Sequence, residues 1–329
     1  MAELKFDGWV TMFKSRNDAC RNVDLPVVTP WKTTSPLTTP TWILERNPYS
    51  VWVDTDGNQL PYIDRIRMTL GENLEVINLR AIAGEYDSQA RHIDISKLPV
   101  LLENQQKGGY RVYLDPSDQG ADVGLFCNQS YDKDPEIAKW LSTREFRIAL
   151  SHGIDRAQIN ETFLLGLGQT GSAAPGERTL YYPGPEYKTL HTAYDVKKAN
   201  EMLDKLGLTK KDGEGIACGP TARAGCACAL TTYLGFLPFT QIAEMMTEQW
   251  KKIGIRGEIQ EMERGAATAR VQTNEHQIYF ETQWGADNIY GHIPSSFPPT
   301  PRARWGRSTA SGTRARGPRA RHRRRACAS

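Results

Sequence analysis

Cysteine, histidine, carboxylate and arginine are the side chains that could carry chemistry here, and their spacing narrows what that chemistry is. Six cysteines stand at 20, 127, 218, 226, 228 and 327. Three of them, Cys218, Cys226 and Cys228, crowd a Gly/Ala-rich segment as C-x7-C-x-C. That spacing has neither two C-x-x-C pairs nor a nearby histidine pair to make a tetrahedral zinc site. No metal and no cofactor is expected. The six histidines are scattered, and G-x-S-x-G, H-E-x-x-H and G-x-x-x-x-G-K-[ST] are all missing. Glu161, Glu177 and Glu186 make a catalytic carboxylate pair only by assumption. These patterns point away from an enzyme.

Arginine raises a different question, because residues 301–329 hold ten arginines and no acid. Such an arm could grip phosphates, yet it has neither the aromatic spacing of a base-stacking platform nor the periodicity of a groove-reading helix. The net charge of +3 is therefore misleading: residues 1–300 carry 31 basic against 38 acidic side chains, a formal −7. Nucleic acid is the weak alternative and is not the expected partner.

The elements that must position any site follow from periodicity. With 39% apolar and 24% charged residues, the 329-residue chain has the composition of a globular protein. No run approaches the ~18 apolar residues of a membrane span. The start, M-A-E-L-K-F-D-G-W, does not read as a signal peptide. The Pro/Thr-rich run P-W-K-T-T-S-P-L-T-T-P-T-W reads as extended chain along the surface. Asp54-Thr55-Asp56-Gly57-Asn58 reads as a turn, Arg65 to Leu70 as a strand, and Asn73 to Ala83 as a helix stopped near Gly84. Y-R-V-Y-L and V-G-L-F-C-N flank a D-P-S-D-Q-G turn as extended segments.

Helices follow. Asp134 before Pro135, Thr143, Asp155 and Asp195 are N-cap residues for four of them, and Phe239 to Ile253 forms a fifth, with Ile242, Met245, Met246, Trp250 and Ile253 inward. Ile255 to Ile259 reads as a short strand. Strands alternating with helices indicate an α/β architecture, and no internal repeat is present.

Two segments break the pattern. I-A-C-G-P-T-A-R-A-G-C-A-C-A, at 216–229, has no period and reads as a loop or an error. Given GC-rich codons and a reading frame displaced by two nucleotides, it becomes R-L-R-T-D-G-K-G-R-L-R-L-R, which alternates as a β-hairpin does around D-G-K-G. The stretch from Trp305 likewise becomes G-P-L-Y-G-I-W-Y-A. Residues 216–229 and 294–329 are thus expected to be out of frame, the second of them as a disordered Arg/Pro/Ala-rich tail, and the gene's nucleotide sequence decides this.

Several motifs then succeed one another in a familiar order. R-E-F-R-I-A-L-S-H-G-I-D-R, from Arg144 to Arg156, followed by A-Q-I-N-E-T-F-L-L-G-L-G, resembles the signature region of family 5 extracellular solute-binding proteins, the peptide- and nickel-type receptors of bacterial ABC importers. N-P-Y-S-V-W, P-Y-I-D-R-I and I-A-G-E-Y-D resemble earlier elements of that family. Y-D-V-K-K-A-N-E-M-L-D-K-L-G-L, I-A-E-M-M-T-E-Q-W-K-K-I-G-I and W-G-A-D resemble later ones. Together they cover about 45 to 292.

The resemblance implies an α/β, two-lobed, type II (Venus-flytrap) periplasmic-binding fold, here incomplete. Residues 1–108 would be a late part of lobe one and 109–293 most of lobe two, with a cleft that has one well-formed wall. It implies a monomer, periplasmic or at the cell surface, that closes over a peptide or similar small solute and hands it to permease subunits, with oligosaccharide as the alternative ligand. Arg144, Phe146, Arg147, Ala149, Ile154, Asp155 and Arg156 would be scaffold, with Arg144 and Arg147 pairing with nearby carboxylates. Asp287 would face the ligand's α-amine, and Trp284 would line its pocket.

Overall fold

The computed structural model describes residues 6–115, 121–172, 174, 177, 180, 182–213, 215–217, 227–235 and 237–283. Asp287 and Trp284, with the whole tail, lie outside the described residues, as do Cys218 and Cys226. The chain forms two compact units, Met1–Ala81 and Ile82–Ser329.

In the first unit α1 (Trp9–Arg16) precedes an antiparallel sheet of β1 (Trp31–Ser35), β2 (Thr41–Arg46) and β3 (Arg65–Thr69), in that spatial order. β1 and β2 are the Pro/Thr-rich run that the sequence suggested was simple extended chain; they form a hairpin instead. Of the run's three prolines, Pro30 precedes β1, and Pro36 and Pro40 fall in the connection, where a missing N–H breaks no ladder. Hydroxyls close that connection: Thr39 Oγ1 donates to Pro36 O at 2.7 Å and Ser35 Oγ to Thr41 O at 3.0 Å. The expected turn at 54–58 is present, held by Asp54 Oδ1, which accepts from Asp56 N and Asn58 N at 2.9 and 2.8 Å. Among the described residues of this unit the buried ones are Thr33, Asn47, Ser50 and Asn78, with Pro61 the one apolar member.

α2 (Leu74–Ile82) ends before Gly84, whose φ of +77° suits a residue without a Cβ. In the second unit α3 (Leu98–Gly108) comes next, then β4 (Ala121–Cys127), α4 (Pro135–Ser142), α5 (Arg144–His152) and α6 (Arg156–Leu164). After them come α7 (Pro185–Thr189), α8 (Val196–Lys205), β5 (Ala227–Tyr233), α9 (Phe239–Lys251), β6 (Arg256–Met262), α10 (Arg264–Gln272) and β7 (Ile278–Gln283).

The expected caps are mostly in place. Asp134 accepts from Glu136 N and Ile137 N, Asp155 from Gln158 N and Asp195 from Lys198 N. Thr143 differs: its hydroxyl donates back to Lys139 O at 2.7 Å, so it closes α4 and leaves the start of α5 without a side-chain cap.

The sheet runs β4-β7-β5-β6, with β5, β6 and β7 parallel and β4 antiparallel to β7. Parallel strands need crossover connections, and α9 and α10 supply them. β5 begins inside the segment expected to be a loop. Ala227–Leu230 pair with Arg256–Ile259, and the small Cys228 and Ala229 are buried there. The hydrophobic core belongs to this unit: Trp140, Leu141, Phe146, Ala149, Leu203, Ile242, Met246 and Trp250 pack around Leu230, Ile278 and Phe280. No helix among the described residues is long and apolar enough to cross a membrane.

Candidate functional site at the carboxyl ends of the parallel strands

Seven residues of the signature segment build a joint between helices rather than a reactive cluster. Phe146 and Ala149 are fully buried and Ile154 nearly so, on the inward face of α5 and the turn after it. Arg147 donates to the carbonyl of Leu141 at 2.8 Å, while Arg144 reaches His191 Nε2 at 3.5 Å. Both arginines thus use a carbonyl or a ring nitrogen in place of the carboxylates expected for them. Arg156 forks more widely. Its Nη1 donates to Ser151 O at 2.9 Å and Thr192 O at 3.1 Å, and its Nη2 to Ser151 Oγ at 2.7 Å. Burial lowers its pKa from the ordinary guanidinium value.

Asp155 both caps α6 and offers its own N–H to Gln249 Oε1 at 2.9 Å. Gln249 Nε2 continues to Gln158 Oε1 at 2.8 Å, and Trp250 Nε1 donates to Leu150 O at 3.0 Å. The signature is thereby bolted to α9, the crossover helix of the parallel sheet.

That sheet presents the second group of residues. In open α/β sheets, ligands bind beyond the carboxyl ends of the parallel strands. β5 ends at Tyr233, β6 at Met262 and β7 at Gln283, one residue before Trp284. Tyr233 OH donates to Glu281 Oε1 at 2.5 Å, Tyr279 OH approaches Glu281 Oε2 at 3.4 Å, and the Thr282 N–H donates to Glu281 Oε1 at 3.1 Å. The two tyrosine rings stack at 6.0 Å and the Arg264 guanidinium lies 5.4 Å from the Tyr233 ring. Burial first, and then the Glu281 carboxylate, push the Tyr233 phenol well above its ordinary pKa. Beside them Thr240 Oγ1 donates to Glu261 Oε2, and Thr232 and Thr240 share a 2.9 Å hydrogen bond.

Glu281 and Tyr233 went unnoticed in the sequence. The available signal was an acid directly after the apolar run Ile278 to Phe280, whose burial is helped by a partner 48 residues away. Among the described residues no group of three or more His, Cys, Asp or Glu is placed to hold a metal ion. Cys228 is buried in β5, and burial raises the Cys127 thiol to about 11.

The family model of the bacterial extracellular solute-binding proteins, family 5 Middle, matches residues 12–299. The chain belongs to this family. An oligopeptide-binding protein, OppA, is 34% identical to this family 5 chain, with a TM-score of 0.59, over 91% of this chain and 47% of that one. The periplasmic binding protein MelB of Agrobacterium fabrum C58, in complex with stachyose, has a TM-score of 0.65 at 20% identity, over 86% of this chain and 44% of that one. The periplasmic alpha-galactoside-binding protein of Rhizobium meliloti (strain 1021) is 24% identical over 71% of this chain and 35% of its own length. The α/β fold is the type II periplasmic-binding-protein fold, and the family 5 chain spans about half, or less, of the length of these relatives. By name they are binding proteins rather than enzymes.

Proposed function

We propose that this chain belongs to the solute-capturing component of an ABC importer, which takes up a peptide or similar small solute and passes it to permease subunits without chemical change. Membership of family 5 carries the reading, supported by 34% identity to an oligopeptide-binding protein across nearly the whole chain. In this reading residues 1–108 belong to lobe one and 109–293 to lobe two, and the protein works as a monomer in the periplasm or at the cell surface. Asp287 receives the ligand's α-amine and Trp284 packs beside it. Supporting this, W-G-A-D follows Gln283, the last residue of β7, in the sequence, and Tyr233, Glu281 and Arg264 supply polar groups near the carboxyl ends of the parallel strands.

An oligosaccharide is the second reading, favoured by the alpha-galactoside-binding relative and the stachyose complex. Calorimetry on the full chain with free-amine peptides, their N-acetylated forms, stachyose and nickel chelates separates the two. Asp287→Ala is expected to weaken free-amine peptides by about 2 kcal/mol more than acetylated ones. Equal losses refute the Asp287 assignment, and heat from stachyose alone moves the ligand class to sugars.

A further inference from the structure

Three consecutive backbone carbonyls just before α8 are received by three side chains of the signature segment. The carbonyl of His191 accepts from Ser151 Oγ at 2.7 Å, that of Thr192 from Arg156 Nη1 at 3.1 Å and that of Ala193 from His152 Nδ1 at 2.7 Å. Two residues on, Asp195 N donates back to the carbonyl of His152 at 2.9 Å. His191 stands at φ +59°, a left-handed backbone that a residue with a Cβ adopts only at a cost. These four bonds therefore hold residues 191–195 as a strap across the end of α5.

His152 is the titratable member of the fastening, and it is 2% exposed. A carbonyl only accepts, so Nδ1 carries the hydrogen that reaches Ala193 O, and the lone pair of the neutral ring is on Nε2. Nε2 is buried without a hydrogen-bond partner. A second proton there would make a buried N–H⁺ with no acceptor, which costs far more than a bare nitrogen.

The surroundings are cationic. From α5, Arg144 Nη2 comes within 3.5 Å of His191 Nε2; α6 contributes Arg156, α8 contributes Lys198, and Lys252, after α9, reaches Tyr194 OH at 3.3 Å. The two imidazoles meet edge to face at 6.2 Å. Asp155 and Asp195 are the acids at this joint, and each accepts from an N–H at the start of its own helix, while Glu145 of α5 and Glu201 of α8 are exposed. Among the described residues no ion pair joins either imidazole to a carboxylate. Burial first, and then Arg144, His152 and Lys198, pull the His191 pKa below its ordinary value.

We propose that residues 191–195 form an acid-released strap: protonation of His152 and His191 frees it from α5 and loosens the packing of α5 on α8, whereas at neutral pH it stays fastened. The fastened strap binds fewer protons than the released one, so it is favoured above the ordinary histidine value of ~6.5 and lost as pH falls below it. Carboxylates titrate lower, which keeps their effects out of this window. Each histidine that has to be neutral in the fastened state multiplies the opening constant about tenfold at about pH 5.5.

Native-state hydrogen exchange on the full chain reads that constant at the Asp195 N–H, at about pH 7.5 and 5.5 with intrinsic rates divided out. A rise of about tenfold or more is expected at the lower pH, with the amides of β5 and β6 unchanged. The double variant H152N/H191N is expected to show no rise, since asparagine keeps an amide donor for Ala193 O, tolerates a left-handed backbone and does not titrate. The proposal is overturned if the parent shows no rise, if β5 and β6 rise equally, or if the double variant rises as the parent does. Should that variant not fold, the imidazole resonances of the parent decide: both rings are expected to titrate together with exposure of Asp195 N–H, and titration under a still-protected amide overturns the proposal.

Discussion

Asp54 gathers most of the order in its loop onto one carboxylate. Tyr62 OH, Asn58 Nδ2 and the N–H groups of Asn58 and Asp56 all donate to it, and these bonds, that of Tyr62 foremost, hold its pKa down at about 2. A carboxylate depressed in the folded chain stabilises the loop above its unfolded pKa of ~3.9, and that stabilisation is lost as pH falls through about 2. Carbon-detected NMR titration is expected to place the Asp54 midpoint near 2, and Tyr62→Phe to move it upward. A midpoint that ignores Tyr62→Phe would mean the phenol is not the main cause.

Arg156 illustrates the opposite case, a cation fixed by neutral acceptors. Its fork ties the end of α5 to the Thr192 carbonyl, a geometry that a lysine's single ammonium does not match. Arg156→Lys is expected to cost about 1–2 kcal/mol in urea unfolding, and Arg156→Ala somewhat more. This role was legible in the sequence only as scaffold, because the partners are backbone carbonyls that no residue type announces.

At the level of elements, legibility followed how local the cause is. α4, α6 and α8 carry an aspartate cap and an apolar stripe within ten residues, and all three were readable. The β1–β2 hairpin was not, since threonines and two prolines give no alternating pattern and the register comes from cross-strand pairs such as Thr33 with Leu44. β5 was hidden for another reason. Its first residues, Ala227, Cys228 and Ala229, are small, and pairing with β6 makes them a strand. The candidate site shares that dependence, because the Glu281 carboxylate of β7 takes its phenol donor, Tyr233, from β5. Tyr233→Phe removes that donor from a buried carboxylate and is expected to destabilise the chain by about 1–3 kcal/mol, while Tyr233→Ala adds a cavity and costs more. A phenylalanine variant as stable as the parent in denaturant titration would show that Glu281 is satisfied without Tyr233.

For the whole molecule, the two units differ in what holds them. The second packs aromatic and aliphatic side chains around a four-stranded sheet, with Trp250 and Gln249 bonding α9 to the signature helices. The first has a three-stranded sheet whose large side chains Trp42, Ile43 and Leu44 are only half-buried, and its buried residues among those described are polar apart from Pro61. Apolar burial is the main favourable term in folding, and a small sheet with little of it resists opening weakly. Stability should therefore be uneven along the chain. Native-state hydrogen exchange in rising urea is expected to release the amides of β1, β2 and β3 at lower concentration than those of β5, β6 and β7. Release of both sets in one transition would show that the two units open as a single cooperative unit.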